Sequence, residues 1–237
     1  MINIGLMLSL IGAGLLLAGP VGARTGLWSF TVGFLLPALS LPLALIGASL
    51  SLAGGIKSGQ WEMAALGIVA GLAAAGVPIA VILSARGKPP IHDITTDADN
   101  PPAFVEILEL RAGAANPPDY AGEDVAAQQR RAYPDIQPVV VGATGSEAFD
   151  GALAAVRDLG WDVVASERAS GRIEAVDTTF WFGFKDDVIV RLTQTPGGTR
   201  VDVRSKSRVG VGDVGANARR VRGLLERLRA QIGRAHV

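Results

Sequence analysis

The chain has 237 residues, 49% of them apolar, with 22 basic and 22 acidic side chains, no cysteine and two histidines. That balance excludes a generally basic nucleic-acid binder and an acidic solvating tail, and the missing thiols exclude disulfides, thiolate metal sites and cysteine nucleophiles. The charges are unevenly spread: residues 1–88 hold only Arg24, Lys57, Glu62, Arg86 and Lys88, a net +3, which leaves residues 89–237 at −3.

Three apolar runs fill the first part, at about residues 4–23, 27–53 and 63–85. Each is long enough to cross a hydrocarbon core of ~30 Å, and in lipid the backbone must satisfy itself as a helix. The first run lacks a basic leading segment and two more follow it, so it reads as a span and not a cleaved signal. Pro37 and Pro42 predict a kink in the second. Trp28, Phe30 and Trp61 sit near run ends, as interfacial aromatics do. Gly67 and Gly71 make a GxxxG, which suits close helix approach within the protein or against a second copy. No run holds an internal ionisable residue, which argues against a proton relay, a charged substrate path or a voltage sensor. The spans therefore read as an anchor and assembly surface. Arg24, Arg86 and Lys88 fall on one side against Lys57 on the other, which predicts a multi-pass membrane protein with its soluble domain in the cytoplasm.

Residues 89–231 read as one α+β domain, with an extended, proline-rich lead-in over 89–120. Within the lead-in, 104–112 fits a short helix or a strand. Residues 121–132 predict a helix ended by Tyr133–Pro134, and 139–141 a short strand. Thr144 and Glu147 have capping-box spacing ahead of a helix that buries Phe149, Leu153 and Val156. Strands follow at 161–167, 172–178, 187–195 and 199–206, joined in part by the Ala169–Ser170–Gly171 and Pro196–Gly197–Gly198 turns. Val188, Val190 and Leu192 alternate with Arg191 and Thr193, and Val201 and Val203 with Asp202 and Arg204. A last helix over 213–231 carries the stripe Val221, Leu224, Leu225 and Leu228, with Arg219, Arg220, Arg222, Arg227 and Arg229 on a face expected to be solvated. The order predicts an antiparallel four- to five-stranded sheet with two helices on one face. The final six residues, 232–237, reverse-translate into a common short-read sequencing adapter; they read as adapter-derived sequence, with the natural C-terminus lost, and are set aside from fold reasoning.

Four segments carry enough chemistry to weigh. His92 beside Asp93 could serve acid-base work, although no nucleophile signature accompanies it; a structural hydrogen bond is the plainer reading. Asp97, Asp99 and Asn100 have the alternation of a calcium loop but lack its glycine and terminal glutamate, so Asx-turns are expected and no metal. Phe180, Trp181, Phe182 and Phe184 place four aromatics in five residues. If the run is a strand, alternation buries either the three phenylalanines or Trp181 with Gly183; otherwise the run is an exposed contact edge for headgroups, an apolar ligand or a partner. Arg204, Ser205, Lys206, Ser207 and Arg208 before a glycine-rich turn suit either ion pairing with Asp186 and Asp187 or an anion site.

The strings IHDITTDADNPP, QQRRAYPDIQP, GRIEAVDTTFWFGFKDDVIVRL and VDVRSKSRVGVGDVGANARRV occur in that order. Together they resemble the uncharacterised family known as domain of unknown function 1499, over about residues 89–230. The resemblance implies a bacterial protein with plastid relatives, often fused to membrane spans, and no established activity, substrate or cofactor. The motif positions it matches are His92, Asp93, Asp97, Asn100, Arg172, Glu174, Trp181, Phe182, Asp186, Asp187, Arg204, Ser205, Arg208, Asp213 and Asn217.

The sequence thus predicts a membrane-anchored binding or scaffold module that engages a partner protein or amphiphile at the bilayer surface. Its ligand-binding residues would be Arg172, Glu174, Phe180, Trp181, Phe182, Arg204, Ser205 and Arg208, with Arg204 and Arg208 as a polar clamp. Membrane lipids, a membrane protein or a second copy are the expected partners; no nucleic acid, cofactor, metal or catalytic residue is expected. The alternative is a membrane-associated hydrolase of a lipid-like substrate with His92 or the aspartates as base, which requires those groups to meet in one pocket.

Overall fold

The structure, a computed structural model, describes residues 1–235, with side chains described through residue 232. It divides into two compact units. One comprises residues 1–86 together with 180–183; the other holds the rest of the described chain.

The first unit contains three helices, α1 (Ile2–Arg24), α2 (Phe30–Ser58) and α3 (Trp61–Ala85), each long and apolar enough to cross a membrane. Lipid removes the hydrophobic drive that joins helices in water, so close packing of small residues must do that work. Gly5, Gly12 and Gly19 recur every seven residues on α1, and Gly33, Ser40, Gly47 and Gly54 do the same on α2; all are buried. The two stripes meet in antiparallel register. A methyl group at Gly5 would lie 2.5 Å from the Ser51 nitrogen, one at Gly12 3.1 Å from the Ala44 nitrogen, and one at Gly19 2.5 Å from the Gly33 carbonyl oxygen. The GxxxG of α3 is used inside the same unit. Gly67 faces Ser51 and Leu6, Gly71 faces Ala44 and Ala48, and the Ser9 hydroxyl donates to the Gly67 carbonyl at 2.8 Å. Helix α2 runs unbroken through Pro37 and Pro42.

The second unit is α+β, with a wholly antiparallel sheet in the order β1-β6-β5-β4-β3 and β2 also paired to β6. The strands are β1 (Asp93–Thr95), β2 (Val139–Val141), β3 (Asp162–Glu167), β4 (Arg172–Thr178), β5 (Lys185–Thr195) and β6 (Gly198–Ser207). The helices are α4 (Ile107–Leu110), α5 (Glu123–Ala132), α6 (Gly145–Asp158) and α7 (Ala216–Ala235). Helices α6 and α7 cover one sheet face, where Phe149, Val156, Leu224 and Leu228 bury against Ile173, Val188, Val190, Val201 and Val203. The capping box forms as spaced: the Glu147 N–H donates to the Thr144 hydroxyl and the Thr144 N–H to the Glu147 carboxylate.

Three local expectations change. The lead-in contributes a sixth strand, β1, whose Asp93, Ile94 and Thr95 pair with Lys206, Ser205 and Arg204. Helix α7 starts at Ala216, because Asp213 precedes it as a cap and accepts from the Gly215 and Asn217 N–H groups, both at 2.7 Å. Arg220, on α7, is buried against the sheet and not on a solvated face. Of the segment read as adapter-derived, residues 232–235 continue α7 and Ile232 packs against the core; His236 and Val237 lie outside the described residues.

Two glycines of α1 and α2 give a matched test of the membrane packing. Gly47→Leu would overlap the Ser9 backbone and is expected to lower unfolding stability in micelles by about 1–3 kcal/mol. Gly14→Leu, with no atom in its way, is expected to change it by less than about 0.5 kcal/mol. Equal effects at the two positions in a thermal unfolding series would contradict the register.

Candidate functional site: the charged sheet face and the aromatic tip

The face of the sheet opposite α6 and α7 is also buried, which alternation alone does not announce. β4, β5 and β6 turn Arg172, Glu174, Asp187, Arg191, Asp202, Arg204 and Lys206 toward it, and the chain between β1 and α5 lies across it as an irregular strap. Each charge there must be paired or hydrogen-bonded to be tolerated. Asp93 takes a two-pronged pair from Arg204, at 2.9 and 2.8 Å, and a third contact from the Lys206 ammonium at 2.9 Å. Asp187 is held by Arg111 and by Arg208, the latter at 2.7 Å. Asp202 is shared by Arg191 and Arg200, which also reach Asp97. Glu174 accepts from the N–H groups of Val105 and Ile107 at 3.1 and 2.9 Å and faces the Arg172 Nε at 3.1 Å.

The cations have more donors than the carboxylates can accept. The surplus goes to strap carbonyls: Arg204 donates to Pro102 and Pro118, Lys206 to Asp119, Arg208 to Leu110, and Arg191 to Asn100. Phe104 packs against Val176 and Ile189, and its ring and that of Tyr120 flank the Arg204 guanidinium at 4.9 and 5.5 Å. Burial, and then the charge of Asp93, push the Tyr120 phenol up to about 12, so it stays protonated.

The sequence-selected residues fall into three environments. Arg172, Glu174, Arg204 and Arg208 belong to the strap face; Glu174, Arg204 and Arg208 are hydrogen-bonded within the fold, while Arg172 lies beside Glu174 and Glu106 with its buried Nε making no hydrogen bond. Ser205 lies on the helix side, donating to Asn217 at 2.6 Å; there Arg220 bridges Ser205, Asn217, Asp177 and Asp186. Burial pushes the Asp186 carboxyl up, against the pull of Arg220. Phe180, Trp181 and Phe182 form the β4–β5 connection and group with the first unit.

That connection is a turn, so the alternation argued for a strand does not apply. The Thr179 N–H donates to the Phe184 carbonyl, the Phe184 N–H to the Thr179 hydroxyl, and Gly183 takes a left-handed φ of 68°. Phe180 and Trp181 are 78% and 58% exposed and meet edge to face, while Phe182 stacks on Phe34 at 4.6 Å. Arg24 donates to the Phe180 carbonyl and lies over its ring.

His92 does not converge with the aspartates. Its Nδ1 is 3.1 Å from the Val211 carbonyl, Asp93 is spent on Arg204 and Lys206, and Asp97 accepts the Asn100 N–H at 2.9 Å, a three-residue step in place of the two-residue step of the expected Asx-turn. Sequence reasoning set Asp186 and Asp187 against Arg204 and Arg208 as a group; Asp187 pairs with Arg208, but Asp186 pairs with Arg220 and Arg204 with Asp93. It missed Arg111, which stands in a short apolar turn with no motif around it. It also missed Arg220, which only the three-residue step from Asn217 could have marked.

The elements define an α+β domain carried on a chain with three membrane-length helices, its second sheet face closed by an ion-paired strap. The family model described as Protein of unknown function (DUF1499) matches residues 93–228, more than half of the chain, and the chain belongs to that family. A search of the curated proteins finds no match.

The strap network predicts unequal costs for its two cations on Asp93. Arg204→Met removes the two-pronged partner and frees the Pro102 and Pro118 carbonyls, and is expected to cost about 3–5 kcal/mol in pulse proteolysis of the full chain. Lys206→Met leaves the Asp93–Arg204 pair and should cost about 1–2 kcal/mol. Burial holds the Lys206 ammonium below its ordinary pKa, against the pull of Asp93. Between the folded and unfolded values the unfolded chain binds the extra proton, so this contribution grows as pH rises. The stability difference between wild type and Lys206→Met should therefore shift in favour of wild type on the alkaline side.

Proposed function

We propose that this protein is a membrane-anchored binding module of the bacterial inner membrane, with its α+β domain on the cytoplasmic side, that engages an amphiphile at the bilayer surface through the tip at Phe180 and Trp181. The observation that carries this reading is the exposure of those two large aromatics. They belong to the unit that holds the three membrane-length helices, and aromatic rings with one apolar and one polar environment favour the headgroup level. The polar residues first grouped with them as a clamp are engaged elsewhere. Arg204 is 2% exposed with its donors on Asp93 and two carbonyls, and Arg208 is bound to Asp187 and Leu110. The tip is therefore the recognition element, and the charged face is what holds the domain in shape.

Purification from native membranes tests this. The wild-type chain is expected to bring down one defined lipid or amphiphile, and Phe180→Ala with Trp181→Ala to lose it while unfolding at the same temperature. Recovery of one defined protein in place of an amphiphile would reassign the tip to a partner. Absence of any enriched molecule with wild type, or equal recovery with the double variant, would overturn the reading.

A further inference from the structure

Apart from the aromatic tip, a second group of side chains converges at the start of α7. Gly215, buried and at φ 74°, is the floor. A methyl group placed there would lie 3.1 Å from the Tyr133 hydroxyl, 3.3 Å from Lys88 Cδ and 3.5 Å from Arg219 Nη1. The Tyr133 hydroxyl, an Arg219 nitrogen and the Lys88 stem, from distant parts of the chain, thus border one small space, and the Lys88 ammonium shares the adjacent Val214 carbonyl with Arg219. Tyr133 is 8% exposed, yet its hydroxyl has no hydrogen-bond partner among the described residues, a costly state for a buried phenol. Lys88 and Arg219 have no carboxylate partner among the described residues; both donate to the neutral Val214 carbonyl at 3.0 Å. Val214 itself sits at φ 54°.

The nearby acid does not quench this group. Asp213 spends both carboxylate oxygens on the Gly215 and Asn217 N–H groups as the cap of α7. Arg222, over the Tyr133 ring at 5.4 Å, is paired with Asp135. Burial, then the charge of Asp213, raise the Tyr133 phenol, which keeps it a proton donor at neutral pH. What remains is one ammonium, one guanidinium and one phenol O–H, all donors, beside the positive end of a 20-residue helix.

We infer that Tyr133, Lys88 and Arg219 form a binding site for a phosphate oxyanion, lying on Gly215 at the start of α7. The phosphate oxygens would take the Tyr133 hydroxyl and the Lys88 and Arg219 donors, giving the buried phenol the acceptor it lacks and the two cations a charged one. Lys88 follows the last residue of α3 by three positions, so a phospholipid headgroup and a soluble phosphate are both sources of that group.

The chain has two tyrosines, Tyr120 and Tyr133, so carbon-13 labelling at the tyrosine Cζ gives two NMR signals, which Tyr133→Phe assigns. In maltoside micelles, which carry no phosphate, the full chain is titrated first with inorganic phosphate and separately with phosphatidylglycerol. A saturable shift of the Tyr133 signal with the Tyr120 signal fixed supports the site; a response to phosphate marks a soluble source, and a response to the lipid alone marks a headgroup. Lys88→Ala and Arg219→Ala should each weaken the midpoint about tenfold, the worth of one charge-assisted hydrogen bond. No shift with either ligand, or titrations unchanged in both variants, would overturn the inference. Loss of lipid recovery in the Phe180 and Trp181 double variant bears on the tip alone, so the two readings fail separately.

Discussion

The α+β domain depends on a cost that water does not relieve: a layer of charges buried on the sheet face away from α6 and α7. Asp93, Glu174, Asp187 and Asp202 are each almost wholly inaccessible, and so are Arg204 and Lys206. Such charges are tolerated when they are ion-paired and hydrogen-bonded, and loss of one partner costs more than the pair contributes. The strap is the answer to that constraint. Its prolines flank the single turn of α4 and leave carbonyls without ladder partners, and those carbonyls take the donors that the carboxylates cannot. Most polar positions on which the family resemblance was read fall on this layer or on its counterpart beside α7, where Ser205, Asn217 and Asp186 meet Arg220. Their roles are those of a framework.

The first unit solves the opposite problem. It has almost no charge to bury and no gain from hiding apolar surface among lipid tails, so its helices are held by backbone proximity. Glycine and serine at seven-residue intervals let α1 and α2 touch along their length, and α3 closes on them through Gly67 and Gly71. The zero net charge of the chain is the sum of these two regimes.

What was legible in the sequence follows from which interactions are local. Strand positions from Trp161 onward came from alternation, and the start of α6 from a four-residue cap. Arg204 and Asp202 were placed on the correct face but not in the correct environment, because a polar residue alternating with valine normally faces water. Only a segment some hundred residues earlier covers them, and no short window contains it. The aromatic run misled for a different reason: phenylalanine and tryptophan favour strands, while Gly183 and the Thr179 side chain fix a turn. Tyr133 appeared only as the end of α5; nothing nearby marks Lys88 and Arg219 as its neighbours.

The antiparallel glycine register has an evolutionary corollary. Substitutions on the outer faces of α1 and α2 leave the stripes aligned, so sequence there is free to drift among apolar residues. A single-residue insertion or deletion within α2 turns every later position by about 100° and carries the downstream glycines out of line with α1. Length should therefore be the guarded quantity in this hairpin, and changes in length should collect in the short connections that join its helices.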